Sequence, residues 1–237
     1  MKFGSASKLV TSLILLPAIT IALTKEVSYN FKAMPHVHDK ASFHNQVDFS
    51  ISGRDFKLSQ NETQIVLKIS PDGSEVIKDF DSNGVASLAG RKLPVPPGPP
   101  SVTYSDGLGR LLKMTGGSKT TSDVYRLSNL TGFVHNASDK ASAGWTSFVP
   151  ADPRIGAVAY VAKYKVTGIQ KIGQWQTYKI NFTVKETSGK TKAWSDGTMW
   201  LCKGTGWPAK IIAHMHNVPF SDAPSPVSGT LTVARVS

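Results

Sequence analysis

The chain has 237 residues, 40% of them hydrophobic and 9% aromatic, which is too much apolar material for wholesale disorder and enough for one large β-rich domain. Its 27 Lys and Arg outnumber 16 Asp and Glu, for a net charge of +11. The cations are dispersed with no basic arm or helix, so acidic partners are favoured but nucleic acid is not expected. Cys202 stands alone, which excludes an internal disulfide and points to a fold held by its core, with this thiol an inert part of it.

Two lysines, Lys2 and Lys8, precede an uncharged apolar run over residues 9–23. Fifteen residues is short for a membrane span, which needs about 20, and Pro17 interrupts the run. The order and length are those of a secretory signal peptide over residues 1–24, cut after Ala22 or nearby. An exported protein is therefore expected, periplasmic, extracellular or at the cell surface. The four Asn-x-Ser/Thr matches, such as Asn129-Leu130-Thr131, are read as chance in a Thr/Ser-rich chain.

From residue 25 the pattern turns to period-two alternation. Val27, Tyr29 and Phe31 suggest one strand, and Val47, Phe49 and Ile51 another. Residues 64–69 and 75–78 flank Pro71-Asp72-Gly73-Ser74, which reads as a hairpin. Residues 81–90 suggest the start of a short helix. Residues 93–100 hold five prolines and are expected to run as an extended connector within a single domain, 25–237. A further hairpin is predicted around Asp106-Gly107-Leu108-Gly109. Val124, Leu127 and Leu130 fall at helical spacing within 118–130, while Trp145, Phe148 and Val149 suggest a loop or lid with apolar anchors.

Five strands are predicted after this, at 158–166, 175–185, 192–202, 209–218 and 228–236, joined by short glycine-bearing turns that force antiparallel neighbours. The fold class is mainly β: about eleven strands in one large curved antiparallel sheet or half-barrel, with one or two short helices.

Catalytic motifs are absent. Gly189-Lys190-Thr191 ends like a phosphate loop but lacks its leading glycine, and no Gly-x-Ser-x-Gly elbow occurs. His36 and His38, and His214 and His216, stand two apart, so either pair would share a strand face and could chelate a metal. Polar surface histidines are the commoner explanation, and no metal or other cofactor is expected.

The aromatic residues Trp175, Tyr178, Trp194, Trp200 and Trp207 gather in the C-terminal strands. They suit either a thick core or a concave apolar surface able to take an acyl chain. Trp194 and Trp200, six apart, belong on one face.

The segment Gly197-Thr198-Met199-Trp200-Leu201, followed by Gly204-Thr205-Gly206-Trp207-Pro208-Ala209-Lys210-Ile211, resembles a strand–turn–strand signature of bacterial exported lipoprotein-carrier proteins of the LolA/LppX type. The resemblance covers residues 156–237. It implies a half-barrel whose sheet wraps helices around a lipid-binding cavity without catalysis. The first expectation is thus a monomeric, non-catalytic envelope protein that binds an apolar or lipid-like ligand. A surface or matrix-associated structural module that meets anionic envelope polymer is the second, and a metal-dependent hydrolase the third.

Overall fold

The computed structural model describes residues 35–51, 53–117, 122–135, 144–219 and 225–237. The predicted signal peptide and the strand predicted at Val27–Phe31 lie outside the described residues. Thirteen strands and one helix follow in the order β1 (Lys40–Ile51), β2 (Arg54–Ile69), β3 (Glu75–Asp81), β4 (Gly84–Leu88), β5 (Arg91–Val95), β6 (Ser101–Ser105), β7 (Leu111–Gly116), α1 (Ser122–Thr131), β8 (Gly144–Val149), β9 (Tyr160–Ile172), β10 (Trp175–Glu186), β11 (Trp194–Cys202), β12 (Pro208–Val218) and β13 (Val227–Arg235).

All thirteen strands join one antiparallel sheet that does not close, eleven of them in the order β7-β6-β3-β2-β1-β13-β12-β11-β10-β9-β8, with the β4–β5 hairpin attached off this path through β2. Two meanders meet at its centre, where β1 pairs with the last strand, β13 (Phe43 opposite Arg235, Phe49 opposite Gly229). The long β2 serves two partners in succession: residues 56–59 pair with β4 and residues 62–69 with β3. Register shifts at Lys179/Ile180, Trp200/Leu201 and Val66/Lys68 are bulges, which bend strands and add curvature.

Three expectations need correction. Residues 81–90 form no helix: they make β4 and a tight turn in which Ala89 and Gly90 both take positive φ, 49° and 83°. That backbone suits a two-residue hairpin better than a helix start. The proline-rich stretch begins inside a strand, because β5 pairs only with β4 and its Pro94 lies on a sheet margin where a missing N–H does no harm. Trp145 and Phe148 belong to β8, an edge strand on β9, and not to a lid.

The core lies on one face of β8–β13. There Ile180, Phe182, Val184, Met199, Ala213 and Met215 pack beneath α1 with Leu130, Trp145 and Tyr164. The concave face of β1–β6 carries a different set in the same phase: after Phe43 come Asn45, Glu62, Gln64, Asp79 and Asp81. The β8–β13 part of the face is apolar, whereas on β1–β3 these polar residues are interspersed with apolar ones such as Val47, Phe49, Val66 and Ile77.

The central strands approach closely at Gly229. A Cβ there would fall 2.0 Å from the Asp48 carbonyl oxygen and 2.5 Å from Phe49 Cδ1. Gly229→Ala is expected to destabilise the fold by about 1–3 kcal/mol through overpacking. Urea unfolding checks this, and an unchanged midpoint would remove the claim.

Candidate functional site

The helix α1 is set across the sheet by its sequence. Val124, Leu127, Ser128 and Thr131 recur at three- and four-residue spacing and form one face, while Tyr125 and Leu130 are buried elsewhere. Several polar contacts fix it. Arg126 donates from Nε and Nη2 to both Glu186 oxygens, at 2.6 and 2.5 Å, and from Nη2 to the Thr191 carbonyl. The Ser195 hydroxyl donates to the Leu130 carbonyl. Just beyond the helix, the Tyr164 hydroxyl donates to Gly132 O and accepts from Val134 N–H, and Trp145 Nε1 donates to Val134 O. Burial pushes the Tyr160 and Tyr164 phenols up, Tyr160 to about 12, so both stay neutral donors.

Between this helix and the concave face lies an open cavity of about 710 Å³, within the usual range for a small-molecule site. Its walls differ in chemistry. Val124 and Leu127 of α1, Met199 and Leu201 of β11, Ile211 of β12 and Trp207 from the preceding turn form an apolar wall. Opposite, Glu62 of β2 and Glu75, Asp79 and Asp81 of β3 form a carboxyl-rich wall interrupted by Ile77, continued by Ser101 and Thr103 of β6 and by Leu111 and Met114 of β7.

Among the described residues, nothing cationic pairs with these carboxyls: none of the four takes part in a salt bridge. Asp79 and Glu62 share a hydrogen bond between their carboxyls. The other partners are neutral: Asn45 Nδ2 and Gln64 Nε2 each donate to Glu62 at 2.7 Å, and the Ser101 and Thr103 hydroxyls donate to Asp79 at 3.3 and 3.1 Å. Asn45 Oδ1, beside Glu62, is buried with no hydrogen-bond partner. Burial first, and then the neighbouring Glu62 charge, raises the Asp79 carboxyl to about 7. Burial raises Glu75, and burial followed by the Glu62 charge raises Asp81. His135 also lines the cavity, its ring edge-on to Phe133 at 4.8 Å, and burial lowers its pKa, which favours neutral imidazole.

Of the five aromatics singled out from the sequence, Trp207 lines this cavity and packs on Phe43 with ring centroids 5.9 Å apart. Tyr178 is in the concave core, with Lys203 5.5 Å from its ring. Trp175 lies beside the Arg235 guanidinium at 5.0 Å. Trp194 and Trp200 do share a face, but it is the convex one. The β11 register turns Met199 and Leu201 inward, so Trp200 faces outward between Lys179 and Lys210, and Trp194 stacks on His216. Alternation told which residues travel together without telling which way they point.

The histidine pairs are likewise apart in the chain's architecture. His36 and His38 occupy the turn before β1, where Asp39 caps the His36 N–H at 2.7 Å and His38 has φ of 73°. His214 and His216 point outward from β12, near Thr230 and Asp196. Among the described residues, no group of three or more His, Cys, Asp or Glu side chains is placed to hold a metal ion. Cys202 is buried, with burial pushing its thiol up.

No family model matches the chain, and no curated protein matches it. Among the described residues no helix is long and apolar enough to cross a membrane.

Proposed function

We propose that this protein is an exported, non-catalytic binding protein of the bacterial envelope, a half-barrel carrier in the manner of the lipoprotein-carrier proteins. It would hold an amphiphilic, lipid-like ligand in the concave cavity. The observation that carries this reading is the division of the walls: an apolar side under α1 faces a carboxyl-rich side that has no counter-cation among the described residues. An acyl chain or other apolar body matches the first wall. The second wall is rich in acceptors short of donors, so it favours a head group that donates hydrogen bonds, above all an ammonium. A structural module without a small ligand has no use for a cavity of this size, which is why it ranks second.

Native mass spectrometry after detergent-free purification is expected to show a co-purifying lipid mass. A fluorescent alkylamine should enter the emptied protein more tightly than the matching fatty acid. Leu127→Trp, which fills the apolar side, should weaken uptake about tenfold or more while leaving the sheet intact, since about 1.4 kcal/mol of lost affinity is tenfold. A clean apo mass together with no uptake of either probe would sink the proposal.

A further inference from the structure

The convex face of the C-terminal meander has a chemistry unrelated to the cavity. Across it the cross-strand register produces rows of neighbours. Phe148 of β8 lies opposite Val161 of β9, which lies opposite Lys185 of β10, then Trp194 of β11 and His216 of β12. One step along, Lys163 adjoins Thr183, which in turn adjoins Asp196, and in the next row Lys165 adjoins Asn181, which adjoins Thr198. A fourth row places Lys179, Trp200 and Lys210 side by side. Among the described residues of these rows, five lysines therefore share this face with one carboxylate, Asp196, which is 3.8 Å from His216 Nε2. None of the five forms an ion pair among the described residues.

The two tryptophans organise this charge. The ammonium groups of Lys179 and Lys210 lie 5.9 and 5.7 Å from the Trp200 ring centre, and that of Lys185 lies 5.5 Å from Trp194. Cation–π attraction aligns these three lysine stems over the indoles and holds their charges across β10, β11 and β12, with Lys163 and Lys165 continuing the array on β9. Beside them Phe148 is 61% exposed, the most exposed large apolar side chain among the described residues. Its position three residues from the buried Trp145 turns it to the convex side.

We infer that this face docks on an anionic lipid bilayer, with the lysines meeting phosphate head groups and Phe148 entering the interface. Charge complementarity selects an anionic partner. The array extends in two dimensions and carries an apolar anchor at its margin, which matches a lipid surface better than a single polymer strand running along a groove. The inference uses the face opposite the cavity, so it stands whether or not the cavity holds a ligand.

Co-sedimentation of the purified protein with phosphatidylcholine vesicles, with and without about a third of phosphatidylglycerol, tests it. Binding is expected only with the anionic lipid, and it should vanish near 1 M salt, where the screening length shrinks to about 3 Å. Removing one surface lysine should weaken binding roughly fivefold, so Lys163→Gln/Lys165→Gln/Lys185→Gln should lose about 100-fold. Phe148→Ala should lose roughly tenfold. These side chains are peripheral, and the salt titration of the unaltered protein needs no variant. Equal binding to neutral vesicles would overturn the inference. So would an unimpaired triple variant, or capture of a soluble polyanion such as polyphosphate with no binding to vesicles.

Discussion

Asp79→Asn is expected to raise the unfolding midpoint of the empty protein at pH 8 and to flatten its pH dependence. In the folded chain burial and the Glu62 charge raise Asp79 to about 7, whereas an unfolded aspartate titrates near 3.8. The folded state therefore keeps a proton that the unfolded state has released. This contribution to stability is fully present below about 3.8 and is lost as pH rises through 7. Three pH units correspond to about 4 kcal/mol, and Glu75 and Asp81, also raised, act in the same direction. Asparagine keeps an oxygen to accept from Ser101 and Thr103 but carries no charge at any pH. Thermal melts from pH 4 to pH 8 supply the measurement. A variant that melts no higher than the parent at pH 8 would show that the carboxyl wall is not under electrostatic strain.

The same linkage separates ligand classes. An alkylamine bound against the wall supplies the missing cation, so its stabilising effect should grow as pH rises through 7, and a fatty acid should show the reverse.

Much of the architecture is legible in the chain, and the gaps have physical causes. The C-terminal strands alternate cleanly because one face packs under α1, as in Tyr178, Ile180, Phe182 and Val184. The spacing of Val124, Leu127 and Leu130 located the helix, although Val124 and Leu127 line the cavity and Leu130 enters the core. The cavity's acidic wall escaped notice because both faces of β3 are mixed. Glu75, Ile77, Asp79 and Asp81 alternate with Val76, Lys78 and Phe80, so neither phase looks like a core. The only sequence signal was three acids in one phase of a short strand, and it becomes meaningful once Gln64 and Ser101 are known to flank Asp79. His135 gave no signal at all, since its burial depends on tertiary placement beside Phe133. Trp194 and Trp200 drew attention by type, yet their direction depended on the β11 register, which a period of two leaves undetermined.

The helix that roofs the cavity depends on one buried ion pair, and Arg126→Ala should expose that dependence. The Arg126 and Glu186 side chains are 14% and 3% exposed, and each Arg126 nitrogen in the pair meets its own carboxylate oxygen. Glu186 also accepts the Ala193 N–H at 2.7 Å, so it joins α1 to the start of β11 as well as to β10. Removing the guanidinium strands a carboxylate with almost no access to water, at an expected loss of about 3–5 kcal/mol. For a domain of this size that lowers the melting temperature by roughly 10 °C or more. Glu186→Gln should cost less. Its amide oxygen still accepts from Ala193, and Arg126 keeps the Thr191 carbonyl at 2.7 Å and some solvent. The ordering of the two variants is the informative result. If Glu186→Gln proved as damaging as Arg126→Ala, the fork geometry itself would matter more than the stranded charge. If Arg126→Ala melted like the parent, α1 would be held by its apolar packing and its remaining hydrogen bonds, and the cavity's roof would owe nothing to the pair.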